Sequence, residues 1–224
     1  MLEKIKSRIR MINDRLAQAC HRVGRNPDGV RVVAVTKTVP LDTIATGLEA
    51  GLTLLGENYI QEAQAKIEAL GSQAQWHFIG RLQTKKARQA VRLFQLIHSV
   101  DNLKLAVELD HRAGLASLRQ AVLVQVNVSG ELSKGGVGTS EAEELIHRVN
   151  ELPHLELRGL MTMPPFFDQP ERARPYFAEL RKLKGRLRLP LTELSMGMSG
   201  DFEVAVEEGA TLVRIGTALF GERN

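Results

Sequence analysis

Eight short apolar runs recur along this chain, and each of the first seven is followed by a stretch with helical spacing. The runs are VRVVAVTK (30–37), TLLGEN (53–58), AQWHFIG (74–80), QLIHSV (95–100), AVLVQVNV (121–128), LELRGLMTM (155–163), TELSMGM (192–198) and TLVRIG (211–216). The stretches between them place apolar residues three and four apart, as Leu41, Ile44, Ala45 and Leu48 do, or Phe177, Leu180, Leu183 and Leu187. Strands that alternate with helices imply a parallel sheet. Eight such units favour an α/β fold of the closed (β/α)8 TIM-barrel type over an open doubly wound sheet. An extra N-terminal helix, with Ile5, Ile9, Ile12, Leu16, Ala19 and Val23 on one face, closes near Gly24 and Pro27. After the eighth run the chain stops, so this first helix is expected to cover the gap beside strand eight. No linker or low-complexity tract interrupts the pattern, and residues 1–224 are read as one domain.

Composition narrows the function classes. With 43% hydrophobic and 25% charged residues in 224 positions, the chain can bury a core, and disorder is not expected. No run approaches the ~20 apolar residues a membrane-spanning helix needs. The opening MLEKIKSRIRMIND is charged and lacks the apolar centre of a secretory signal. The single cysteine, Cys20, suits a reducing compartment, and the expected location is the cytoplasm. The formal charge is +4, with the densest basic patch at RKLKGRLR (181–188). At helical spacing that patch reads as a solvated face, so nucleic acid is not the expected partner. Six histidines show no pair at metal-ligand spacing, and no metal is expected.

In such a barrel the chemistry sits where the strands end. VRVVAVTK ends in Lys37, and alternation places Val33, Val35 and Lys37 on one face. If that face is the lumen, Lys37 stands at its top, where desolvation favours a nucleophilic amine that reacts with aldehydes. The alternative is a lysine that has left the strand and lies in solvent. Ser199 and Gly200, in SMGMSGDFE, precede a helix, and Gly216 and Thr217 follow strand eight, in VRIGTALFG. Loops after strands seven and eight commonly hold phosphate in barrels. An aldehyde-reactive lysine facing a phosphate cradle, with Arg214 in the last strand, suggests pyridoxal 5'-phosphate (PLP). Other polar and sulfur residues have structural readings. Asp101 in HSVD reads as a helix cap, Ser140 to Glu143 as a capping box, Tyr59 and Tyr176 as helix packing, and Met161, Met163, Met196 and Met198 as barrel lining.

The ordered set VAVTK, GENYIQEA, WHFIGRLQ, HSVD, VNVSGELSKGGV, GLMTMPP and LSMGMSGDFEVAVEEGATLVRIGTALFG covers nearly the whole chain. It resembles the pyridoxal phosphate homeostasis protein family, single-domain relatives of the alanine racemase barrel. The resemblance implies an alanine-racemase N-terminal-domain-like fold and PLP as cofactor, held as a covalent aldimine on Lys37. It implies that Ser199, Gly200, Gly216 and Thr217 hold the phosphate, that Arg214 faces the pyridine nitrogen, and that Asn58 lies near the ring. His77 and Met196 match positions that line the pocket. Lys134 also matches, with no role attached. One position departs from the pattern: the family's Asn-Lys pair after LQ and one further residue is Lys85-Lys86 here.

An arginine can only donate, so it leaves the pyridine nitrogen unprotonated and the ring a weak electron sink. The related racemases add a second domain that supplies a base, and the chain ends soon after LFG. The expected role is therefore intracellular vitamin B6 homeostasis: a monomer that holds PLP and passes it on, with apo forms of PLP-dependent enzymes as its recipients, and no catalytic residue of its own. Two alternatives stay open. One is a weak amino-acid racemase or other α-carbon enzyme, which solvent deuterium exchange would reveal. The other is a PLP-sensing module acting on a protein or nucleic-acid partner, which salt-sensitive binding would reveal.

Overall fold

The computed structural model describes residues 1–131 and 134–221. Its strands are β1 (Arg31–Val35), β2 (Leu54–Glu57), β3 (Gln75–Phe78), β4 (Leu96–Val100), β5 (Gln120–Asn127), β6 (Val137–Gly138), β7 (Leu155–Met161), β8 (Glu193–Met198) and β9 (Leu212–Ile215). All pairings are parallel; β1 pairs with both β2 and β9, and β4 with both β3 and β5. Eight strands thus close on themselves, with the two-residue β6 added at the end of β5, where Val126 faces Val137. The eight expected strands are present, and β6 is the one the apolar pattern did not signal.

Two apolar layers divide the interior. Val33, Val35, Leu54, Ile79, Leu96, Ala121, Leu123, Met161 and Leu212 form one cluster drawn from around the barrel, which is the lumen. A larger cluster lies between the strands and the helices. Because both strand faces are buried, the strands read as continuous apolar runs and not as alternating ones.

The outer layer consists of α1 (Leu2–Arg22), α2 (Leu41–Glu49), α3 (Ile60–Leu70), α4 (Ala87–Leu93), α5 (Leu103–Leu115), α6 (Thr139–Asn150), α7 (Arg174–Arg186), α8 (Phe202–Glu207) and α9 (Thr217–Phe220). Helix α1 packs against α2, α8 and α9, and so covers the seam between the first and last strands. It buries Ile5, Ile12 and Leu16, each worth ~1.5–3 kcal/mol relative to exposure. Arg8 donates to the Leu219 carbonyl at 3.1 Å, and Arg15 forks onto Glu203 with two 2.8 Å bonds. A short helix, α9, follows the last strand, where the pattern ended without one.

Local signals were less faithful. Val23 is 44% exposed and sits just past the end of α1, not in its apolar stripe. In α2 the buried residues are Ile44 and Gly47, while Leu41 and Ala45 are exposed. Asn102, not Asp101, caps α5 by accepting from the Leu105 N–H at 2.9 Å; Asp101 accepts from the Asn102 side chain. Ser140 lies inside α6, whose N-cap is Gly138 with no side-chain cap bond, so the capping box does not form. Tyr59 precedes α3 and is 58% exposed, so it is not a packing residue. The basic patch is a helix face as expected: Leu183 and Leu187 are buried, while Arg181 pairs with Glu208 and Arg186 with Glu143.

Candidate functional site

A cavity of about 280 Å³ opens at the C-terminal ends of the strands. Lys37, Asn58, Ser199, Gly200, Arg214, Gly216 and Thr217 all line it. They come from loops after β1, β2, β8 and β9 and from within β9, so the barrel brings together residues up to 180 positions apart (217 − 37).

The Lys37 side of the cavity is held by ions. Ladder bonding of β1 runs on to Thr36, whose N–H donates to the Gly56 carbonyl at 3.0 Å. Lys37 comes next and is partly buried. Its neighbours are tied from below. The Lys66 ammonium donates to the Thr36 carbonyl at 2.6 Å, to Glu57 Oε1 at 2.7 Å and to Glu62 Oε1 at 2.6 Å. Thr36 Oγ1 donates to Glu57 at 2.6 Å, and the Thr38 N–H to Glu62 at 2.6 Å. Thr38 has φ +59°, a conformation β-branched residues rarely adopt. The turn that presents Lys37 is thus strained and anchored at both ends.

The opposite wall comes from β8 and β9. Gly197, at φ +90°, breaks the alternation of β8, and the pairing with β9 shifts register between Ser195 and Met198. Ser195 accordingly faces the lumen, and Met198 lines the cavity. Ala218 N–H lies 3.4 Å from Ser199 Oγ, so the loops after β8 and β9 meet. Gly200 is exposed, and a Cβ built on it would meet nothing within 4 Å. Gly80 is needed on the Asn58 side: a Cβ there would lie 2.2 Å from the Asn58 carbonyl oxygen.

Arg214 forms part of the floor. It is 4% exposed, and no salt bridge to it occurs among the described residues. Nη1 donates to Ser195 Oγ at 2.6 Å and Nη2 to the Thr162 carbonyl at 2.9 Å. Burial pushes its guanidinium down to about 10, against the pull of Asp201, so it remains charged at neutral pH. Asp201 is the one carboxylate lining the cavity among the described residues. Burial raises its pKa, and its Oδ1 is committed to the Met198 N–H at 2.6 Å.

Two expected pocket residues lie elsewhere. Met196 is fully buried in the layer between strands and helices, on the outer face of β8. His77 lies in the lumen below the cavity. Its Nδ1 is 2.9 Å from His98 Nε2, and His98 Nδ1 is 2.8 Å from Ser195 Oγ. The geometry therefore links His77 to Arg214 through two intermediates. Of the four methionines expected to line the barrel, Met161 and Met163 face the lumen, Met198 lines the cavity, and Met196 does not. The cavity also has an apolar wall from Met163, Phe166, Phe167 and Pro170 that was not anticipated. Its signal was available in MPPFF, an apolar loop where loops are usually polar. Tyr176 stacks on Phe167 at 5.9 Å and does not reach the cavity.

Comparisons with known proteins fit this arrangement. The family described as alanine racemase, N-terminal domain, matches residues 8–224. A protein of Aquifex aeolicus named pyridoxal phosphate homeostasis protein is 47% identical over 221 residues, covering 96% of this chain and 97% of its own. Among solved structures, an unknown protein from Bifidobacterium adolescentis superposes with a TM-score of 0.91 at 33% identity, over 97% of this chain and 95% of that one. PipY of Synechococcus elongatus, solved with PLP bound, gives a TM-score of 0.82 at 37% identity, over 94% of this chain and 100% of that one.

Proposed function

We propose, because this chain belongs to the pyridoxal phosphate homeostasis protein family and is built on the alanine racemase N-terminal domain, that it binds PLP in the upper cavity and serves PLP homeostasis. One observation carries the reading: Lys37, Asn58, Ser199, Gly200, Arg214, Gly216 and Thr217 converge on a single cavity. The residues present fit the group. Asn58 Oδ1 is buried without a hydrogen-bond partner, as expected of an acceptor meant for a ligand. Arg214 is a buried donor without a salt bridge among the described residues, which suits a neutral ring nitrogen or an anion. Gly200 leaves room for an oxyanion beside the Ser199 and Thr217 hydroxyls.

Bound PLP supplies an aldehyde that a primary amine can capture. Lys37 is the amine of this chain on the cavity wall and serves as the covalent attachment point. Ser199 and Thr217 would hold the phosphate through their hydroxyls, and Arg214, which can only donate, would face the ring nitrogen without accepting a proton from it. The single lining carboxylate, Asp201, accepts from backbone, and neither tyrosine lines the cavity, so among the described residues no base stands ready opposite Lys37. This supports a holding role over catalysis at an α-carbon.

The test is covalent mapping. Loading with PLP, reduction with borohydride and peptide mass analysis should place the label on Lys37. Lys37→Ala should keep its fold, since residue 37 lies beyond β1, and should lose the label. A label that stays on another lysine in the variant would defeat the assignment.

A further inference from the structure

The opposite mouth of the barrel holds a second cavity, of about 480 Å³, where the strands begin. Arg31 opens β1, Gln75 opens β3, Gln120 opens β5, and Arg119, Arg158 and Arg92 stand around the same opening. Its charges do not cancel. Arg31 pairs with Glu193 at 2.5 Å and Arg158 with Glu156 at 2.9 Å. Arg119 donates only to the Leu155 carbonyl, at 3.2 Å, and neither Arg119 nor Arg92 has a salt bridge among the described residues. Two guanidiniums therefore exceed the local carboxylates. Among the described residues the cations lining this cavity are arginines, which suit ionic and hydrogen-bonded capture and not imine chemistry.

At the inner end lies His77, 3% exposed, with Nδ1 engaged by His98 and no hydrogen bond described at Nε2. The tautomers of this line follow from donors and acceptors. Arg214 can only donate to Ser195 Oγ. If the Ser195 hydroxyl then donates to His98 Nδ1, His98 must carry its proton on Nε2 and donate to His77 Nδ1. His77 then carries its own proton on Nε2, on the side of the lower cavity. In the reverse order Nε2 is a bare acceptor. An anion in the cavity selects the first order. Burial and the nearby charges of Arg31 and Arg158 push the imidazole down to about 3, so His77 acts there as a neutral donor.

We propose that the N-terminal mouth of the barrel is a second binding site, for a compact phosphate-type anion held by Arg92 and Arg119 over the His77 N–H. The site is separate from the PLP cavity, and the inference stands whether or not PLP binds above. Occupancy fixes the hydrogen-bond direction along His77, His98 and Ser195 up to Arg214.

Pyrophosphate at constant ionic strength is the probe, titrated calorimetrically into the full chain. Because the upper cavity also suits phosphate, the background is Ser199→Ala with Thr217→Ala. Binding should persist there and weaken about tenfold or more when Arg92→Ala and Arg119→Ala are added. Both arginines are exposed, so the unfolding midpoint should not move. In a second measurement, pyrophosphate should shift the His77 imidazole nitrogen resonances toward the Nε2–H form. Binding that vanishes with the upper-site substitutions, or survives loss of both arginines, overturns the proposal. So does a His77 signal that ignores saturating pyrophosphate.

Discussion

Two buried polar networks meet at the upper cavity, and they solve opposite problems. Beneath Lys37, the Lys66–Glu57–Glu62 cluster is fully ionic and pairs opposite charges at 2.6–2.7 Å. Below Arg214, one guanidinium is followed by a hydroxyl and two imidazoles, with no carboxylate in the line. The first network sets one ammonium between two carboxylates, of which burial raises the Glu57 pKa, and fixes the backbone on both sides of Lys37. The second places one buried guanidinium, with no salt bridge among the described residues and Asp201 as the nearest carboxylate influence, in the cavity lining. A buried charge without a partner is unfavourable in the empty protein. An anion or a ring acceptor in the cavity would offset that cost, so the proposed division is an ionic cluster that acts as scaffold and an arginine line that meets ligand.

Breaking the ionic cluster should give the largest effect. Lys66→Met leaves Glu57, at 0% exposure, without its counter-charge, and its Oε2 is already unpartnered. Removing one member of a buried pair costs about 3–5 kcal/mol, which chemical denaturation would read directly. Adding Glu57→Gln should recover part of the loss. If Lys66→Met alone costs less than ~1 kcal/mol, the cluster is not a scaffold.

The imidazole line should respond to acid. The folded pKa of His77 is lowered to about 3 from 6.5, chiefly by burial, and that of His98 also lies well below 6.5. In both cases the fold prefers the neutral form. Their contribution is complete above pH 6.5 and is lost as pH falls from there toward the folded values. Each unfolded-state proton weakens folding by about 1.4 kcal/mol per pH unit. Between pH 6.5 and 5, above the range of ordinary carboxylates, His77 should cost about 1.6 kcal/mol, with His98 acting in the same direction. Equilibrium unfolding across that window is the measurement, and His77→Gln should reduce the slope by about one proton. An unchanged slope would mean that His77 does not titrate on unfolding.

How much of this was legible in sequence depends on the kind of signal. The barrel was readable because eight strand–helix units leave a periodic trace that no single residue can erase. That Lys37, Ser199, Gly200, Arg214, Gly216 and Thr217 line one cavity was readable because strand ends in a barrel converge by topology, while Asn58 was singled out by the family resemblance. Met196 was not, since a strand buried on both faces gives no parity and Gly197 resets the phase after it. His77 was seen as a chemical residue but placed at the wrong depth, because its partners are 21 and more residues away. The caps failed for a local reason: Asn102 and Asp101 are equally good cap residues, and one position decides between them. Arg92 and Arg119 carried no motif at all; only the shared start of the strands brings them together.

The smallest expected effect sharpens the scaffold half of the comparison. Thr38 holds φ +59°, which costs a residue with a Cβ about 1–2 kcal/mol. Glycine has no such cost but loses about 0.5–1 kcal/mol of chain entropy on folding. Thr38→Gly should therefore stabilise the protein slightly, by about 0.5–1 kcal/mol, with the N–H bond to Glu62 retained. If the ionic cluster exists to hold this turn, relaxing the turn should also shrink the cost of Lys66→Met. The two substitutions would then be non-additive in a double-mutant cycle, since both act on residues 36–38. Additive costs would separate the cluster from the turn, and the ion pairs beneath Lys37 would then stabilise only the contact between β2 and α3.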